Sequence, residues 1–120
     1  MRLFRGRLEI RHLKTLGPLP IFWDRWTLAA PWRARLELPE LLEATAPGTE
    51  LVLDLKGRDE RLATRVLATL EPHLGSRRFT VCARHWRLLD SFRGRPVRRM
   101  QSVGSARQLR LLLRRFAGER

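Results

Sequence analysis

Leu51-Val52-Leu53-Asp54-Leu55-Lys56-Gly57 is the stretch that decides the fold. Its first five residues are apolar apart from Asp54, which suits a strand covered on both faces, as in a parallel sheet. Gly57 breaks the strand, and Asp59 is placed to cap a helix. Leu62, Val66, Leu67 and Leu70 then recur at helical spacing, predicting a helix over 60–73 that Gly75 stops. Phe79-Thr80-Val81-Cys82-Ala83 repeats the buried-strand pattern. Strand, helix, strand in this order implies parallel strands joined by a helical crossover.

Toward the C-terminus, residues 85–93 read as a short helix with Trp86, Leu89 and Phe92 on one side. Gly94-Arg95-Pro96 is a turn, 97–102 a strand, and 105–116 a helix carrying Leu109, Leu112, Leu113 and Phe116. Toward the N-terminus, Leu38 to Ala46 is helical, with Pro39 acceptable in its first turn, and Pro47-Gly48-Thr49 ends it. Residues 7–12 alternate like a half-buried strand. Thr15-Leu16-Gly17-Pro18 reads as a turn, 19–23 as a strand ended by Asp24, and 25–36 as a loop that packs aromatics. The expected fold is one α/β domain over residues 1–120, built of parallel βα repeats. At four βα units it would be about half of a TIM-type barrel. An open half-barrel exposes sheet edges and apolar core, which predicts pairing with a second copy or a partner.

The 120 residues carry 25 Lys and Arg against 12 Asp and Glu, a net +13, with 43% hydrophobic residues, enough for a core. The charge is uneven. Residues 1–76 hold 10 Arg, 2 Lys and 10 acids, whereas residues 77–120 hold 13 Arg and only Asp90 and Glu119. Such asymmetry is expected of a half that meets nucleic acid or phosphate, and also of arginines that merely solvate helix faces. No apolar run approaches the ~18 residues of a membrane span. One cysteine excludes an internal disulfide, and no signal-peptide pattern opens the chain, so a cytoplasmic location is expected. The phosphate-cradling glycine patterns of Rossmann and P-loop proteins are missing.

In parallel βα folds, functional side chains gather at the carboxyl ends of strands. Asp54 and Lys56, two apart on one strand, share a face. They are candidates for a site or for a simple ion pair. Glu9, with Arg11 on the same face of its strand, is a candidate second carboxylate. Hard cations such as Mg²⁺ and Ca²⁺ require clustered carboxylates. His12 and His85 stand near expected strand ends and are candidate acid–base groups; His73 sits at a helix end, suited to its terminal carbonyls. Cys82, in an apolar strand, reads as inert core.

On these residues the chain resembles the glycerophosphodiester phosphodiesterase family, from about Leu3 to Phe116. Leu8-Glu9-Ile10-Arg11 and Gly17-Pro18-Leu19-Pro20-Ile21-Phe22-Trp23-Asp24 resemble its Glu-x-Asp strand and the hairpin that follows. Leu36-Glu37-Leu38-Pro39-Glu40-Leu41-Leu42 resembles a helix start, Leu53-Asp54-Leu55-Lys56 its Ile-Glu-Ile-Lys strand, and Val81-Cys82-Ala83-Arg84-His85-Trp86 the next strand and loop. The resemblance implies a (β/α)₈ barrel that hydrolyses glycerophosphodiesters with Mg²⁺ or Ca²⁺. Glu9 and Asp54 would match metal carboxylates and Lys56 the substrate-binding lysine. Arg11 stands where a second acid is expected, Trp23 where the hairpin histidine is, and Phe4-Arg5-Gly6 where the family opens with His-Arg-Gly. With the acid–base histidines replaced, the implied protein is a degenerate, truncated member with lost or reduced catalysis. Arg5, Lys56 and Arg84 would then keep a cationic mouth for phosphate. The rival readings are a basic module that binds nucleic acid or an acidic partner through residues 77–120, and a non-catalytic dimerising scaffold.

Overall fold

The computed structural model describes residues 1–10 and 36–118 in full, together with the backbone of 14–16, 19–23 and 28–29. Eight strands occur among them: β1 (Arg2–Phe4), β2 (Arg7–Glu9), β3 (Lys14–Leu16), β4 (Leu19–Trp23), β5 (Leu28–Ala29), β6 (Leu51–Leu55), β7 (Phe79–Ala83) and β8 (Arg98–Gln101). Three α-helices accompany them: α1 (Leu38–Ala44), α2 (Glu60–Leu70) and α3 (Ala106–Gly118). Two 3₁₀ segments cover Glu71–His73 and Trp86–Phe92.

The βα reading holds for the second half of the chain. Strands β6, β7 and β8 form a parallel sheet in that order, with Leu53 opposite Val81 and Cys82 opposite Met100. Strand alternation sends Leu53, Leu55, Phe79, Val81 and Ala83 to one face. There they meet Leu62, Ala63, Val66 and Leu70 of α2 and Leu88, Leu89 and Phe92 of the second 3₁₀ segment, all in one buried core. Leu38 and Leu42 of α1 close the core at its edge.

Regular βα alternation fails in the first third. Strands β1 and β2 form an antiparallel hairpin, and β3, β4 and β5 an antiparallel sheet; among the described residues no barrel is closed. These strands are short and follow one another closely, and a two-residue loop can join antiparallel neighbours but not parallel ones. Phe4-Arg5-Gly6 is therefore not an opening barrel strand. Phe4 ends β1, while Arg5 (φ 47°) and Gly6 (φ 78°) form the loop, both left-handed as a type I′ turn requires. The turn expected at Thr15-Leu16 is part of β3, where Thr15 pairs with Phe22, and Leu28–Ala29 is a strand rather than loop. Arg11, His12 and the expected turn residues Gly17 and Pro18 lie outside the described residues.

The hairpin is tied to the parallel sheet at the carboxyl end of β6. The Met1 ammonium donates to the Asp54 carbonyl (2.7 Å), and the Lys56 amide donates to the Met1 carbonyl (3.0 Å), so Met1 brackets Leu55. The helix expected over 60–73 changes at Leu70 into the 3₁₀ turn containing Pro72, which has no N–H to continue an α-helical ladder. Residues 86–92 are likewise 3₁₀ rather than α-helical. No helix among the described residues is long and apolar enough to cross a membrane.

Candidate anion-binding site

The expected pair on β6 forms. Lys56 Nζ lies 2.5 Å from Asp54 Oδ2, both side chains part-exposed. Cys82, directly opposite Asp54 in register, sits beside this pair. Burial pushes its thiol up, and the neighbouring Asp54 carboxylate adds to the rise, so at neutral pH Cys82 is a thiol and a poor nucleophile.

Glu9 does not join this pair directly. It is buried, at 1% exposure, and its register partner is Arg2 on β1. It is Met1, just before β1, and not β2, that bonds to the end of β6. Among the described residues no three His, Cys, Asp or Glu side chains form a group able to hold a metal ion. With Asp54 engaged by Lys56, the described donors do not fit a Mg²⁺ or Ca²⁺ site. Arg5 is also elsewhere: its guanidinium lies over the Phe4 ring at 5.2 Å from the centroid, on the hairpin turn.

Arg84 and His85 do meet at a site. The loops after β6, β7 and β8 converge with the first turn of α3 around an open cleft of about 930 Å³ at the carboxyl ends of the parallel strands. Arg58, Arg84, His85, Arg87 and Arg107 line it, and among the described residues no carboxylate does. Arg87 is held by Glu60 at 3.5 Å. Among the described residues, Arg58, Arg84 and Arg107 have no side-chain ion pair. Three uncompensated guanidiniums on one rim repel one another and leave a strong positive potential.

Gln108 organises the cleft. Its Nε2 donates to the Arg84 carbonyl (2.7 Å), its Oε1 accepts from the Gly104 amide (2.8 Å), and its own amide donates to Ser105 Oγ (3.2 Å). One side chain thus locks the loop after β7 to the start of α3. Trp86 adds a second tie, its indole N–H donating to the Ser102 carbonyl at 3.0 Å. A Cβ at Gly104 would stand 2.9 Å from Arg84 Cδ, so glycine there lets the arginine stem lie flat against the backbone. The amides of Ala106 and Arg107 belong to the first turn of a 13-residue helix and have no intrahelical acceptor. The helix dipole adds positive charge at the same place.

Sequence reasoning placed Arg84 and His85 at this rim and missed Arg58, Arg107 and Gln108. Arg58 carried a positional signal, directly after Gly57 at the end of a predicted parallel strand, whereas Arg107 and Gln108 fall inside the predicted helix 105–116 and carried none. Compared with known proteins, the chain matches no family model, no curated protein and no solved structure.

Proposed function

We propose that the chain is a phosphate-binding βα protein, similar to the glycerophosphodiester phosphodiesterases, that keeps recognition of a phosphate ester or phosphodiester without efficient hydrolysis. One observation carries the reading: Arg58, Arg84 and Arg107 surround the N-terminus of α3 with no acid among them. Guanidiniums match phosphate oxygens in a planar, charge-assisted fork, and a helix N-terminus supplies backbone donors to the same anion. Hydrolysis needs more than binding. The departing alkoxide must be protonated, and acid–base help is worth roughly 10²–10⁴ in rate. Among the described residues His85 is the one acid–base candidate lining the cleft, and none of the other lining residues is a carboxylate that could orient it or share its proton.

The test is calorimetric titration with glycerol 3-phosphate and glycerophosphocholine, alongside a hydrolysis assay. Both ligands are expected to bind. Arg84→Ala or Arg107→Ala should weaken binding about tenfold or more, the loss expected for one charge-assisted contact. Gly104→Ala should do the same by displacing the Arg84 stem while leaving thermal unfolding unchanged. Absence of binding by either ester, or binding indifferent to Arg84→Ala and Arg107→Ala, overturns the assignment. Rapid turnover of glycerophosphocholine would overturn the loss of catalysis alone.

A further inference from the structure

The last helix carries its own signal, separate from the cleft. Leu109, Leu112, Leu113 and Phe116 stand at i, i+3, i+4 and i+7, the spacing of an apolar helix face. A helix in a βα unit normally buries that face on the sheet. Here no residue of α3 is buried, and Leu109, Leu113 and Phe116 are 46%, 58% and 56% exposed. The helix carries Arg107, Arg110, Arg114 and Arg115 and no acidic residue. Arg110 and Arg114 lie on the side opposite the apolar face, where Leu111 is also 49% exposed.

We infer that α3 is a membrane-surface helix that docks the protein on anionic phospholipid. An amphipathic helix with leucines and phenylalanine on one face and arginines on the other lies in the plane of a bilayer, burying the first among acyl chains and setting the second among headgroups. Charge selects this occupant over a second copy. Two copies meeting through the apolar face would cover it but leave the four arginines of each helix facing outward without a counter-charge, which an anionic surface supplies. The face is also too small: 13 residues span about 20 Å, one row of side chains wide, well short of the ~800 Å² per partner of a stable interface. Nucleic acid would use the arginines but leave the leucines in water. The inference stands independently of the phosphate cleft, since Leu109, Leu113, Phe116, Arg110 and Arg114 do not line it.

The test is co-sedimentation of the protein with phosphatidylcholine vesicles, with and without phosphatidylserine, at low and high salt. Binding is expected only with phosphatidylserine and should fall as salt rises. The double variant Leu113→Asp/Phe116→Asp should lower partitioning about tenfold or more, and Arg110→Glu/Arg114→Glu should do likewise. Both pairs are exposed, so thermal unfolding should be unchanged, and neither pair should alter glycerol 3-phosphate binding. Equal binding to both vesicle types, no binding, or binding untouched by the Asp pair overturns the inference. So does a native dimer that the Asp pair converts to monomer, which would give the face to a second copy. RNA binding lost in the Arg pair and kept in the Asp pair, with no vesicle binding, would give it to nucleic acid.

Discussion

The guanidinium of Arg77 points inward. It is 7% exposed, and its Nε donates to the Thr49 carbonyl at 3.0 Å and its Nη1 to the Leu42 carbonyl at 3.2 Å. Its Nη2 donates to Thr45 Oγ1, and the Phe79 ring lies 6.0 Å from its carbon. One side chain thus satisfies the open end of α1 and the approach to β6, groups that would otherwise be buried without partners. Arg77→Ala should cost about 3 kcal/mol in urea unfolding, since it strands several acceptors at once. Ligand binding at the cleft should survive. The residue opens the arginine-rich half of the sequence and so counts, by charge alone, toward a binding surface. Composition cannot separate an arginine that meets a partner from one that braces a helix end, because only the fold says which carbonyls lack donors.

Among the elements, α2 shows what a sequence pattern can deliver. Asp59 was expected to cap it, and the Asp59 carboxylate does accept from the Arg61 amide at 3.0 Å while Leu62, Val66 and Leu70 are buried. Hydrogen bonds from the Arg61 side chain, then from its amide, hold the Asp59 carboxyl below the ordinary value of 3.8. A depressed carboxyl stabilises the fold above its unfolded pKa, and that contribution disappears as pH falls through the folded value. Asp59→Ala should therefore cost about 1 kcal/mol at neutral pH, with the gap to the native protein closing below about pH 4, as urea titrations at several pH values would show. Strands β6 and β7 were equally legible as strands, but the cover expected on both faces of β6 is not there: Leu53 and Leu55 are buried while Val52, on the other face, is 62% exposed. The hairpin of β1 and β2 was not. Its turn is Arg5-Gly6, where the usual asparagine or aspartate signal is replaced by an arginine held at φ 47°. The cleft was legible only through Arg84 and His85. Its organiser, Gln108, looks like any polar residue of an amphipathic helix until the loop after β7 is seen to pass beside it.

At the scale of the whole molecule, the parallel sheet ends at β8 among the described residues, and its four residues Arg98, Arg99, Met100 and Gln101 are all exposed. An unpaired strand edge invites another chain, and a short edge carrying two arginines discourages it by charge repulsion. The half-barrel expectation of pairing through open edges is thus opposed by the residues on that edge. Sedimentation velocity should find the native protein unassociated through β8, and Arg98→Val/Arg99→Val should produce concentration-dependent association. Native association that is unchanged by the valines would show that the arginines do not guard the edge.

The Gln108 amide has a consequence for how the two ends of the molecule communicate. It belongs to the last helix yet holds the carbonyl of Arg84, on the rim of the cleft. A tilt or shift of that helix on settling against a surface would be transmitted straight to the arginine rim, with no intervening hinge. By linkage, whatever an occupied rim does to the helix's hold on a surface, the surface must return in equal measure to the rim.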